Sequence, residues 1–208
     1  MTITTYATLK TAIADFLNRD DLTSAIPTFI RLAESRISRD LRHWRMETRS
    51  TAELDTQYSA IPSDFLQPIR LQLTGGETGE VAPISTAQML QLRGERNDEA
   101  GAPTHYALTA GGLELYPTPD GTYDASLVYY ARVPALSDSN TVNWLLTEAP
   151  DVYLYGALVH TAPYLKDDAR IQVWEALFAQ GIDNLNTSSG DAKYGGSGLV
   201  MKIKRGTT

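Results

Sequence analysis

Apolar residues recur at helical spacing in two stretches near the start of the chain. Residues 6–18, YATLKTAIADFLN, put Tyr6, Leu9, Ile13, Phe16 and Leu17 on one face, and Thr4 or Thr5 is placed to cap the first turn. Residues 18–21 break the pattern. Residues 26–47, IPTFIRLAESRISRDLRHWRME, then repeat Ile26, Ile30, Ala33, Ile37, Leu41 and Trp44 at spacings of three and four. The spacing predicts one helix about 33 Å long. Arg31, Glu34, Arg36, Arg39, Asp40, Arg42 and Arg45 cover the rest of its cylinder. Such a face is either solvated or set against a neighbouring subunit.

The period changes to two near Thr48. Residues 48–54 and 68–73 read as strands, the second alternating Ile69, Leu71 and Leu73 with Arg70 and Gln72. Glycines at 75, 76 and 79 mark a turn, and 81–84 is short and extended. Residues 85–93 read as a short helix, with Ser85 as N-cap and Gln88 in the capping-box position. Residues 104–108 and 113–116 flank Thr109-Ala110-Gly111-Gly112 and predict a hairpin. Residues 122–133 form the longest strand.

Helical pattern returns at 147, with Thr147 as the expected N-cap and Pro150 in the first turn. Val152, Leu154, Tyr155, Leu158, Val159 and Ala162 wrap much of that cylinder, which predicts a helix buried on several sides and kinked or ended by Pro163. Residues 167–185 give a last amphipathic helix through Ile171, Trp174, Leu177, Phe178, Ile182 and Leu185. Beyond Asn186, Ser188-Ser189-Gly190 and Gly195-Gly196-Ser197-Gly198 read as a flexible linker leading to LVMKIKR. That alternating apolar–basic tail has the composition of a segment that orders on a partner, or of a frayed terminus.

The fold class expected is α+β: an antiparallel helical bundle of two N-terminal and two C-terminal helices, an inserted antiparallel β region and an extended C-terminal tail. Its divisions are 1–47 with 144–187 for the bundle, 48–143 for the β-rich insertion and 188–208 for the tail.

Composition narrows the chemistry. The 208 residues are 42% hydrophobic and 21% charged, which suits one domain, with or without an insertion. There is no cysteine, so disulfide and thiol chemistry are excluded. No apolar run approaches a membrane span, and the first residues lack a signal peptide's apolar region, so the expected place is the cytosol, or a particle packaged from it. The net charge of −7 is the reverse of a protein that grips nucleic acid through phosphates. Basic residues nevertheless crowd the helix at 26–47 and the tail at Lys193, Lys202, Lys204 and Arg205.

No catalytic constellation emerges. His43, His105 and His160 have no metal-binding spacing, and His160 reads as a core histidine hydrogen-bonded to a neighbour. No phosphate-binding glycine loop and no GxSxG elbow is present. Glu148 and Asp151 read as partners of a helix dipole rather than as an acid–base pair. The eleven tyrosines fit core and subunit packing better than a stacking surface. No cofactor and no metal is expected, and the chain reads as no enzyme.

The stretch TYATLKTAIADFLNRDD, followed by IPTFIRLAESRISRDLR running into HWRME, resembles the N-terminal region of tailed-bacteriophage head-to-tail adaptor (connector) proteins, including the group related to tail tubular protein A of short-tailed phages. The likeness is best over residues 5–47, in the run F-I-x-L-A-E-x-R-I-x-R-x-L-R. The later order of β insertion, two helices and tail also fits, while 60–143 carries no recognised signature.

The resemblance implies a structural virion protein of the tail or neck, assembled in the host cytoplasm, that serves genome ejection. It implies a dodecamer, a ring of twelve copies between the portal protein and the downstream nozzle or tail-tube protein. Phage DNA would pass through without specific binding, and no membrane is involved. Arg31, Arg36, Arg39 and Arg42 are the expected subunit-interface or channel residues. Tyr194, Leu199, Val200, Met201, Lys202, Ile203, Lys204 and Arg205 are the expected portal-binding tail. The alternatives are another connector, such as a head-closure or tail-terminator protein, and a β-rich carbohydrate-binding or hydrolytic tail component.

Overall fold

A computed structural model describes residues 2–19, 21–76, 79–95, 100–164 and 169–194. In chain order the elements are α1 (Tyr6–Leu17), α2 (Ile26–Asp40), β1 (Glu47–Leu54), β2 (Tyr58–Ser59), β3 (Phe65–Leu73), β4 (Gly79–Pro83) and α3 (Thr86–Glu95). Then follow β5 (His105–Thr109), β6 (Gly112–Tyr116), β7 (Tyr123–Ala131), α4 (Trp144–Glu148), α5 (Pro150–Val159) and α6 (Arg170–Tyr194). They divide into two compact units, residues 1–44 with 133–208, and residues 45–132.

The first unit is helical. Thr5 and Thr8 close a capping box at the start of α1, and Asn18 ends it in a left-handed conformation. Pro27 in the first turn of α2 suits a helix start. Ile26, Phe29, Ile30, Ala33 and Ile37 of α2 are buried. The helix stops at Asp40 instead of running on to 47. Leu41 turns extended, and Trp44–Met46 forms a separate 3-10 turn. Arg42 takes over the end: its Nη1 donates to the Ser38 and Leu41 carbonyls at 3.0 and 2.6 Å.

The C-terminal helices also begin elsewhere than expected. Asn143, not Thr147, caps α4, its Oδ1 accepting the Leu146 N–H at 2.8 Å. Thr147 sits inside α4, and Pro150 opens α5 as a separate helix. Val152, Tyr153, Leu154, Gly156, Ala157 and Leu158 are buried, so α5 is the unit's central helix. A Cβ on Gly156 would meet Phe178 of α6 on one side and Ala33 of α2 on the other. The helix α6 runs through the expected Ser188-Ser189-Gly190 linker to Tyr194.

The second unit is a seven-stranded sheet in the order β1-β7-β3-β4-β5-β6-β2. All ladders are antiparallel except β4–β5, where Ala82 and Pro83 pair in parallel with His105 and Tyr106. The α3 crossover makes that parallel pair possible. It packs on the sheet through Met89, Ala107 and Tyr116, and Ser85 and Gln88 cap it reciprocally. Residues 55–57 carry the chain from β1 at one edge to β2 at the other. Such a link spans about 15 Å at most, so the sheet curls into a half-barrel. Its core is Leu54, Leu71, Leu73, Val81, Tyr106, Leu113, Leu115, Leu127 and Tyr129.

The expected antiparallel helical bundle with an inserted antiparallel β region is therefore corrected. The β-rich part is a mixed sheet curled into a half-barrel with α3 packed on it. In the helical unit α2 and α6 run in the same direction: Arg36 meets Glu175, the Arg42 N–H meets Asn186 and the Trp44 N–H meets Ser189. The cause is non-local pairing. The expectation paired only one hairpin, which forms as β5–β6, and assigned the other strands no partners, whereas β7 pairs with β1 and β3 from the other end of the unit.

Candidate interaction surface on the helical unit

The four arginines expected to face a neighbour have separate fates. Arg36 turns inward and forms a two-point pair with Glu175, Nη1 to Oε2 at 2.7 Å and Nη2 to Oε1, while its Nε lies 3.6 Å from Asp40. Its guanidinium also stacks over the Phe178 ring at 4.6 Å. Hydrogen bonding to Arg36 holds the Glu175 carboxyl below its usual range. Arg42 is spent on the end of α2. Arg31 and Arg39 are exposed, and so are Thr28, Leu32 and Ser35 beside them. These five share one stripe of α2, and Leu32 is 45% exposed in its middle.

Trp44, expected on the buried face, is 42% exposed, because the helix ends four residues before it. It is held by its N–H to Ser189 Oγ at 2.8 Å, and its ring lies 5.7 Å from that of His43, which stacks on Trp144 at 5.2 Å. Tyr194 is the last residue of α6. Leu199, Val200, Met201, Lys202, Ile203, Lys204 and Arg205 lie outside the described residues.

Behind α2 sits a polar group that the periodicity hid. Glu34 accepts the Leu136 N–H at 2.7 Å, and its charge acts on the Tyr153 hydroxyl. Asn143 Nδ2 donates to Tyr153 Oη and to the Pro134 carbonyl, both at 2.7 Å. Burial raises the Glu34 carboxyl and the Tyr153 hydroxyl above their ordinary values. The cluster pins residues 134–143 to the helices. Glu34 reads in sequence as one more charge on a solvated face. Only its place beside Ala33, on the edge of the apolar stripe, hints otherwise.

His160 departs from expectation. Its Nε2 is buried without a hydrogen-bond partner, and burial, then the charge of Arg36, lowers its pKa. Among the described residues no group of His, Asp and Glu could hold a metal ion. No described helix is long and apolar enough to cross a membrane.

Several tyrosines pack and spend their hydroxyls inside the units. Tyr129 donates to Asp64 at 2.9 Å and Tyr116 to the Leu92 carbonyl at 3.3 Å. In the sheet unit an apolar slot of about 30 Å³ lies among Ser50, Ala52, Leu54, Ser59 and Leu113. A wider concavity of about 380 Å³ is lined by Thr51, Ala52, Glu53, Thr74, Asp124 and Ala125, with no aromatic ring for a sugar to stack on.

What remains on α2 is an exposed stripe, basic with an apolar centre, on a helix whose other faces are committed. The family model of the SU10 adaptor protein matches residues 4–200, so the chain belongs to that family. No curated protein matches it. Membership makes it a phage adaptor, a structural component of the virion that meets other virion components such as portal and tail.

Proposed function

We propose that this member of the SU10 adaptor protein family forms a ring in the virion neck, between portal and tail, through which the phage DNA passes. The family match over residues 4–200 carries the reading. The exposed stripe of α2 supports it. Arg31, Leu32 and Arg39 give one subunit a basic and apolar face for the next, while Arg36 and Arg42 hold the subunit itself together. A cyclic ring needs such a heterologous face. We place the copy number at twelve. The net charge of −7 suits passage of DNA without specific binding, because a basic lining would hold phosphates.

In this reading the C-terminal segment, Tyr194 and residues 199–205, is the arm that reaches the portal protein. Its alternation of apolar and basic residues suits addition as a strand to that partner. The neck position and the service in genome ejection follow from the ring.

The experiment is electron-microscopic imaging of the purified chain mixed with the portal protein of its own phage. A ring of copies seated on the portal is the expected outcome. A chain that stays monomeric with the portal present, and never co-sediments with it, would sink the proposal.

A further inference from the structure

We infer that the other half of the ring contact is the outward stripe of α6. On α2 the exposed stripe is Thr28, Arg31, Leu32, Ser35 and Arg39. On α6 the residues Gln180, Asp183, Asn184, Thr187 and Asp191 are likewise exposed. The two sets have the same spacing of three, one, three and four, so each forms one face of its helix. The partner that fits the α2 stripe is therefore α6 of a second copy of this chain. The inference rests on the ring reading above and adds to it the opposing face.

Charge sets the register. Arg31 and Arg39 are eight residues apart, as are Asp183 and Asp191, which is about 12 Å along either helix. No ion pair joins any of the four to another described residue. Laid side by side in parallel, the helices put Arg31 against Asp183 and Arg39 against Asp191. Ser35 then meets Thr187 at the centre, where two short side chains let the axes approach to about 8–10 Å. Leu32 falls beside Asn184.

Direction supports the same register. Within one chain α2 and α6 run parallel, as the Arg36–Glu175 and Trp44–Ser189 contacts require. Rotation about a ring axis along the helices preserves direction. The α6 of one copy therefore meets the α2 of the next in parallel, the sense in which both arginines find aspartates. The contact is heterologous, so it propagates around a ring and does not stop at a pair.

The chain has no cysteine, which makes the test clean. Ser35→Cys and Thr187→Cys are introduced together into the adaptor of the intact phage, and virions are treated with a short bis-maleimide. The expected result is a ladder of covalent multimers from the double variant, with neither single variant giving one. Virions that carry the double variant with reactive thiols and give no ladder overturn the α2–α6 contact while leaving the ring in place. Electron-microscopic imaging of the same virions that shows no ring of adaptor copies at the neck overturns the ring reading as well.

A charge exchange guards against variants that fail to assemble for other reasons. Arg39→Asp is expected to reduce adaptor incorporation on the order of tenfold, the change that about 1.4 kcal/mol produces. Asp191→Arg in the same chain is expected to restore it. Failure of the second change to rescue the first, with both proteins folded by circular dichroism, overturns the pairing.

Discussion

Arg36 on α2 grips Glu175 on α6, with Nη1 2.7 Å from Oε2 and the guanidinium 4.6 Å from the centre of the Phe178 ring. The pair ties two parallel helices whose residues lie far apart in sequence. Its side chains are 25% and 43% exposed, so solvent screens much of the attraction. Arg36→Ala is expected to cost about 1 kcal/mol, from the ion pair and the ring contact together. Arg36→Lys recovers little, since a lysine cannot make the two-point bond. The urea midpoint of each variant measures this, and equal midpoints for wild type and Arg36→Ala would refute it.

Two glycines give an opposed pair of expectations. A Cβ at Gly156 would lie 2.9 Å from Phe178 and 3.2 Å from Ala33. Gly156→Ala must push α6 or α2 away from α5 and is expected to cost about 1–3 kcal/mol. At Gly190, inside α6, a Cβ meets nothing within 4 Å. Gly190→Ala should therefore stabilise by about 0.4–1 kcal/mol, by restricting the unfolded chain and favouring the helix. Thermal unfolding of both variants decides. A stabilising Gly156→Ala would show that the three helices are not in close contact there.

The two glycines also show what the sequence holds and what it hides. The 3.6 periodicity located the buried faces of α1 and α2, because Ile30, Ala33 and Ile37 repeat against charges. It could not say that α2 ends at Asp40. That end depends on Arg42 folding back to carbonyls, and on Asn186 and Ser189 some 145 residues away in sequence accepting the freed N–H groups. The Ser-Gly stretch at 188–190 reads as linker by composition, yet Ser189 is buried as the partner of Trp44. The exposed Arg31 and Arg39 look the same in sequence as the committed Arg36. Only the partner Glu175, supplied by tertiary structure, separates them. Sheet order is hidden for the same reason, since β1–β7 pairing joins strands with no local signal between them.

The buried titrating groups give a pH dependence with a definite sign. The folded pKa of His160 lies below the ordinary 6.5, through burial and Arg36. As pH falls past 6.5 the unfolded chain takes the proton first, so stability declines with acidification. Glu175, held low by Arg36, adds a further loss below its ordinary 4.5. Glu34 has the opposite sign. Its raised carboxyl favours the fold at low pH, and that contribution fades as pH rises through its folded pKa. His160→Gln is expected to flatten the decline just below pH 6.5, and Glu34→Gln to stabilise more at pH 8 than at pH 4. Melting temperatures across that range test both, and parallel curves for wild type and His160→Gln would contradict the first.

In the sheet unit Gly112 has φ +155°, and a Cβ there would lie 2.2 Å from the backbone oxygen of Ser59. The clash is with backbone, so no rotamer change relieves it. Gly112→Ala is expected to separate β2 from β6 at the edge of the half-barrel, at a cost of about 1–3 kcal/mol. Faster amide exchange should follow at Leu115, whose N–H donates to the Gln57 carbonyl at 2.8 Å just beyond that pair. Unchanged exchange there would mean the edge tolerates the substitution.

The place of a C-terminal truncation decides what it measures. A chain ending at Tyr194 keeps every described contact, because α6 finishes there. Its melting temperature is expected to match the full chain, while co-sedimentation with the portal protein is lost. A chain ending at Ser188 removes Ser189, whose Oγ accepts the Trp44 N–H at 2.8 Å. That N–H is left without its acceptor, which costs about 1–3 kcal/mol, and the last turn of α6 frays. The shorter chain should therefore lose stability as well as attachment. Full co-sedimentation by the chain ending at Tyr194 would remove residues 195–208 from the portal contact. Equal stability of the two truncated chains would show that the end of α6 does not hold Trp44 in place.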